Sequence, residues 1–178
     1  IISLIREAIE DFRKYQYDKK SNESLTISYK SPMFVSTKWS DVEVGAIMKI
    51  TKDEILPCDV LVIKSSNENG FCYLETTNLD GESGLKPREA LRASQMAIKE
   101  DKDIEKLFND TKETFIEVDK PSIDIYTVEG TMFLNGNKNY FDIKNILLRG
   151  GRLKNVDFIY GVVIYTGIDT KLMKNINH

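Results

Sequence analysis

Short apolar runs chopped by turn residues set the strongest limit on what this chain can fold into. Leu25-Thr26-Ile27-Ser28-Tyr29 alternates with the period of two expected of a strand. Ser31-Pro32 breaks the pattern and Met33-Phe34-Val35 resumes it. Ile47-Met48-Lys49-Ile50 follows Gly45, and Val60-Leu61-Val62-Ile63 follows Pro57. The second of these is continuously apolar yet short, the mark of a strand buried on both faces. Asn67-Glu68-Asn69-Gly70 is a turn signal, and Phe71-Cys72-Tyr73-Leu74 begins the next strand. Beyond Phe115 the pattern returns at Phe115 to Val118, Ile123 to Val128, Thr131 to Leu134, Tyr140 to Ile143 and Phe158 to Tyr165. Gly130, Asn135-Gly136 and Gly150-Gly151 punctuate it. This predicts a mainly β chain with helical additions (α+β). Its core, a distorted jelly-roll or β-sandwich, is drawn from residues 25–75 and 115–166.

Two stretches carry helical spacing instead. Over residues 1–20, Ile1, Ile5, Ala8, Ile9 and Phe12 share a face while Arg6, Glu7, Glu10, Asp11, Arg13 and Lys14 fill the other. This is either an amphipathic N-terminal helix or the end of a membrane helix running out into water. Pro87 is expected to open a helical insert through 108, since proline suits a first helical turn. Between the strands and this insert, residues 78–84 form a loop with two glycines. The chain begins at Ile1 with no initiator Met and is expected to be cut from a longer one.

Composition removes several classes of function. A length of 178 residues suits one domain, and a formal charge of −3 argues against a nucleic-acid binder. Lys19-Lys20 and the charged run from Lys99 to Lys106 are read as solvated faces. Cys58 and Cys72 are read as reduced thiols in the core rather than as nucleophiles. The sole histidine, His178, is the last residue, which speaks against a histidine-dependent triad, and one His with two Cys makes a poor metal site. There is no phosphate-binding loop of the Gly-x-x-x-x-Gly-Lys-Ser/Thr type and no Gly-x-Gly-x-x-Gly fingerprint. Gly150-Gly151 is read as a tight turn rather than an anion cradle.

What remains is Asp80-Gly81-Glu82-Ser83, two carboxylates on a glycine-hinged turn. A carboxylate at such a tip can orient a water and accept its proton, and Gly81 lets the backbone approach a partner closely.

The surroundings of this tetrapeptide carry a resemblance. Glu75-Thr76-Thr77-Asn78-Leu79-Asp80-Gly81-Glu82-Ser83-Gly84-Leu85-Lys86 closely resembles the actuator-domain signature of the type IV P-type ATPases, the phospholipid flippases. Further blocks follow in the family's order. They are Glu10 to Lys14, Trp39 with Val44-Gly45, Pro57-Cys58-Asp59, Leu147-Leu148-Arg149-Gly150, Gly161 to Gly167, and Asp169-Thr170-Lys171-Leu172-Met173. The family usually has Ala at 77, Thr at 83, Asn at 84, Asp at 46 and Ala at 58. The segment Val118 to Asn145 fits loosely. Asp169-Thr170-Lys171 holds the residue types of the Asp-Lys-Thr-Gly phosphorylation motif in the wrong order and is not that motif.

The resemblance implies an actuator domain over residues 21–178, with residues 1–20 continuing from a membrane span. It implies that Glu82 positions the water that hydrolyses an aspartyl phosphate, with Asp80, Gly81 and Ser83 shaping and docking the loop. The Asp80–Ser83 loop is then expected to be exposed and mobile. The fragment alone is expected to bind no cofactor or metal and to be inactive. ATP and Mg2+ belong to the parent protein, with the phosphorylation and nucleotide-binding domains, the membrane helices, a phospholipid substrate and an accessory membrane subunit as partners. The expected location is the cytosolic face of an integral membrane protein. Two other readings stay open: a regulatory or binding module in a fused or inactive flippase-like protein, and the actuator domain of an ion-transporting P-type ATPase.

Overall fold

The computed structural model describes residues 2–109 and 112–176; His178 lies outside them. In chain order the elements are α1 (Ile2–Glu23), β1 (Leu25–Lys30), β2 (Met33–Lys38), β3 (Ile47–Thr51), β4 (Asp59–Ser65), β5 (Phe71–Glu75), α2 (Thr77–Asp80), β6 (Leu85–Glu89), α3 (Arg92–Ala97) and α4 (Asp101–Phe108). There follow β7 (Phe115–Val118), β8 (Gly130–Leu134), β9 (Asn137–Phe141), β10 (Ile146–Leu147), β11 (Arg152–Lys154), β12 (Phe158–Tyr165) and α5 (Lys171–Ile176). Among the described residues no helix is long and apolar enough to cross a membrane.

Three antiparallel sheets organise the strands. The largest runs β10-β4-β12-β3-β1-β2, a second runs β11-β5-β6, and a third runs β7-β8-β9. The mainly β class with helical additions is therefore what forms. β4 and β12 lie side by side inside the six-stranded sheet, and Val60, Leu61, Val62 and Ile63 are all fully buried, as their unbroken apolar run requires. Nearer the edge, β1 alternates buried and more exposed positions. Burying each such Val, Leu or Ile contributes roughly 1.5–3 kcal/mol. Cys58 and Cys72 belong to the same core as free thiols, and burial pushes Cys72 up to about 12, far from a nucleophile's range.

The structure corrects several expectations about secondary structure. Residues 87–108 are not one helical insert, because Pro87 lies inside β6, opposite Tyr73 of β5. β6 is the edge strand of its sheet, where a proline's missing N–H leaves no ladder bond unmade. Helix begins only at Arg92, stops at Ala97, and restarts at Asp101 behind a capping box between Glu100 and Asp103. The run Ile123 to Val128 forms no strand; this segment crosses from β7 to β8 as a connection.

Helix α1 extends three residues past the expected end at 20, to Glu23, and Leu4, Ile5, Ile9, Phe12 and Tyr15 on it are exposed. The Trp39 N–H donates to the Ser24 carbonyl just beyond the helix, tying its end to the sheet.

Candidate functional site: the Asp80–Glu82 turn

The turn singled out by the sequence is the connection between the paired strands β5 and β6, whose last pair is Glu75 with Leu85. Thr76 starts the first helical turn, accepting the N–H groups of Leu79 at 2.7 Å and Asp80 at 3.1 Å on its carbonyl. Gly81 then ends this turn with φ 73° and ψ 1°, its N–H donating to the Thr77 carbonyl at 3.1 Å. Glycine takes this left-handed conformation without the strain a Cβ would bring. The expected open loop over 78–84 is thus a short helix, α2, followed by an exposed tip.

Asp80 is the knot of this turn. Its carboxylate accepts the Thr76 hydroxyl at 3.1 Å on both oxygens, the Glu82 N–H at 3.0 Å, and the Lys86 ammonium. The Thr76 residue is buried and the Asp80 side chain only 9% exposed. Burial alone would raise the Asp80 carboxyl; the bonds from Lys86, the Glu82 backbone and Thr76 outweigh it and hold it below the usual range. Lys86 shows the converse balance: burial would lower it, but Asp80 and Glu82 keep it above the usual lysine value.

Glu82 is placed differently. Its side chain is 63% exposed, and its carboxylate meets Lys86 Nζ at 3.1 Å. Gly81, Ser83 and Gly84 around it are exposed, so the tip is open as expected. A Cβ added at Gly81 or Gly84 would touch nothing within 4 Å. The structure therefore brings Asp80, Gly81 and Glu82 together on one turn, with Ser83 at its open edge.

Below the tip the turn is keyed to the core. A Cβ at Gly150 would lie 3.2 Å from a methyl of both Leu79 of α2 and Leu172 of α5, so the three chain segments meet there in a tight contact. Gly150 has φ 82°, which makes the Gly150-Gly151 pair a close-approach turn. The flanking residues are held by one buried carboxylate. Asp59, fully buried, accepts the Arg149 N–H and the Lys171 N–H, each at 2.7 Å. Lys171 is itself buried and donates from Nζ to the Ser122 hydroxyl at 2.7 Å and the Ser122 carbonyl at 3.3 Å. The connection bearing Ser122 also carries Tyr126, whose ring lies 5.4 Å from Lys86 Nζ.

Thr76 and Lys86 were inside the sequence signature but had no role there. Two carboxylates and a lysine within seven residues around Gly81 were the available signal, since a turn can bring such opposite charges together. Asp59 and Lys171, 112 positions apart, offered no local signal.

No protein-family model matches the chain. Individual relatives do. Over 97% of its length the chain is 38% identical to "Probable phospholipid-transporting ATPase 11" and 34% identical to "Phospholipid-transporting ATPase 10", both of Arabidopsis thaliana. Over 98% of its length it is 38% identical to "Probable phospholipid-transporting ATPase 5" of the same plant. The chain spans 14% of the length of each of these relatives. Nearly the whole of this chain is thus similar to one segment of these phospholipid-transporting ATPases.

Proposed function

We propose that the chain is the actuator domain of an ATP-driven phospholipid flippase, facing the cytosol, and that Glu82 positions the water that releases phosphate from the pump. The observation that carries this reading is the division of labour between two carboxylates on one turn. Asp80 is occupied by Thr76, Lys86 and the Glu82 backbone, whereas Glu82 stands at the open tip with its carboxylate accessible.

In the proposed step, Glu82 orients a water in line with the phosphorus of an aspartyl phosphate on another domain of the parent chain. The water oxygen bonds to phosphorus and the bond from phosphorus to the aspartyl oxygen breaks. Glu82 takes the water's proton, leaving inorganic phosphate and a free aspartate. An acyl phosphate needs little beyond positioning, so a carboxylate at the end of a docking turn is sufficient equipment. Asp80, Gly81 and Ser83 fix the shape of the turn and its docking. ATP and Mg2+ act on the nucleotide-binding and phosphorylation domains of the parent, and lipid moves through its membrane helices. Residues 21–178 turn as a body during the cycle and pull on those helices through residues 1–20 and the C-terminal end.

Determining the full-length coding sequence tests the reading directly. An Asp-Lys-Thr-Gly motif should follow, with roughly ten apolar spans of membrane length. A complete parent chain lacking that motif would overturn the enzymatic role and leave a binding or regulatory module.

A further inference from the structure

Resting on that reading, the geometry points to Lys86 as the residue that positions Glu82. The tip of the turn has little else to aim its carboxylate. A Cβ at Gly81 or Gly84 would meet nothing within 4 Å, Ser83 is exposed, and the Glu82 side chain is 63% exposed. A glutamate in that setting samples several rotamers, and the entropy of fixing one opposes productive alignment. Among the described residues, Lys86 is the one side chain ion-paired with the Glu82 carboxylate, at 3.1 Å.

Lys86 is suited to that task because it is itself held. It belongs to β6, where it pairs with Leu74 of β5, so its backbone is fixed by the sheet. Its side chain is 21% exposed, and its ammonium is bonded to Asp80, which Thr76 and the Glu82 N–H lock in turn. The Tyr126 ring, 5.4 Å away, flanks it from the connection that Lys171 anchors through Ser122. One cation thus spans the fixed carboxylate and the exposed one. The shape of the turn reaches the Glu82 side chain through Lys86, while the Glu82 backbone is set by Asp80 and by the Thr77 hydroxyl donating to its carbonyl at 3.3 Å.

The test uses Lys86→Met, Lys86→Arg and Glu82→Gln in the full-length parent, following decay of the acid-stable phosphoenzyme after a cold ATP chase. Lys86→Met should form phosphoenzyme normally and lose it about 10–100-fold more slowly, the cost of a misaligned reacting group. Lys86→Arg should recover most of the rate, since guanidinium can still bridge two carboxylates. Wild-type decay in Lys86→Met beside stalled Glu82→Gln overturns the positioning role and leaves the proposed function standing. Wild-type decay in Glu82→Gln removes both. NMR on the 178-residue chain covers the case in which Lys86→Met impairs phosphorylation itself. Side-chain couplings of Glu82 should report one rotamer with Lys or Arg at 86 and averaging with Met. A single retained rotamer in Lys86→Met contradicts the inference.

Discussion

Asp59 and Asp80 are the same chemical group in two regions that use it in opposite ways. Asp59 sits in the core, fully buried, and its two oxygens take backbone N–H groups from Arg149 and Lys171. Burial pushes its carboxyl up to about 6, and the two N–H bonds with the Lys171 and Arg149 charges offset this only in part. Asp80 lies near the surface, where the Lys86 bond and its companions outweigh burial. The buried carboxylate ties three distant stretches of chain into a frame, and the surface one pre-shapes a turn. Neither is left free for chemistry, which is why the accessible Glu82 is the residue assigned to it.

Stability should separate the two regions most sharply. Asp59→Ala strands one buried and one part-buried N–H donor at about 1–3 kcal/mol each and removes the counter-charge from buried Lys171. A loss of about 3–5 kcal/mol is expected, a fall in melting temperature of roughly 10 °C for a chain this long. A fall below about 2 °C would mean that the frame does not depend on Asp59. Gly150→Ala probes the joint between the regions. Its positive φ and the 3.2 Å approach to Leu79 and Leu172 predict a loss of about 1–3 kcal/mol, read by the same melt. Asp80→Ala should cost about 1–2 kcal/mol, less than Asp59→Ala, because Lys86 and the Glu82 N–H can turn to solvent and only the Thr76 hydroxyl is left buried. It should nonetheless speed exchange of the Glu82 amide, whose acceptor is lost. An equal stability loss at Asp59 and Asp80 would erase the distinction.

pH separates the two carboxylates as well. In the folded chain the Asp59 carboxyl carbon should titrate near 6, and Asp80 below the ordinary 3.8. The signs are opposite. Folded Asp59 holds its proton more tightly than the unfolded chain does, so its contribution favours folding at low pH and is lost as pH rises from 3.8 through about 6. Asp80 contributes stability above 3.8, and this is lost as pH falls through its depressed folded value. Carboxyl-carbon NMR checks both, and overlapping titrations would contradict the contrast.

Much of the frame was legible because it is local. The apolar run at 60–63 was short enough for a buried strand and forms one, and Asn67 to Gly70 turns as its composition suggests, with the Asn69 N–H on the Asn67 side chain at 2.9 Å. The Asp80–Glu82 turn was visible as a motif. What escaped depends on partners far along the chain. Pro87 suits a helix start, and only its pairing with β5 makes it an edge-strand residue. Ile123 to Val128 has strand-like composition, but its neighbourhood is fixed by a buried lysine from the far end of the chain. Asp59 gives no local sign that Arg149 and Lys171, 90 and 112 positions away, will donate to it.

The central claim is that Glu82 positions the hydrolytic water. Purified full-length parent carrying Glu82→Gln is loaded with radiolabelled ATP and chased with cold ATP, and the acid-stable phosphoenzyme is followed over time. Gln keeps the size of Glu but cannot take a proton as a carboxylate does, so phosphoenzyme should form at the normal level and decay roughly 10²–10⁴-fold more slowly. Asp80→Asn should slow decay less. Decay in Glu82→Gln at the wild-type rate would contradict the account.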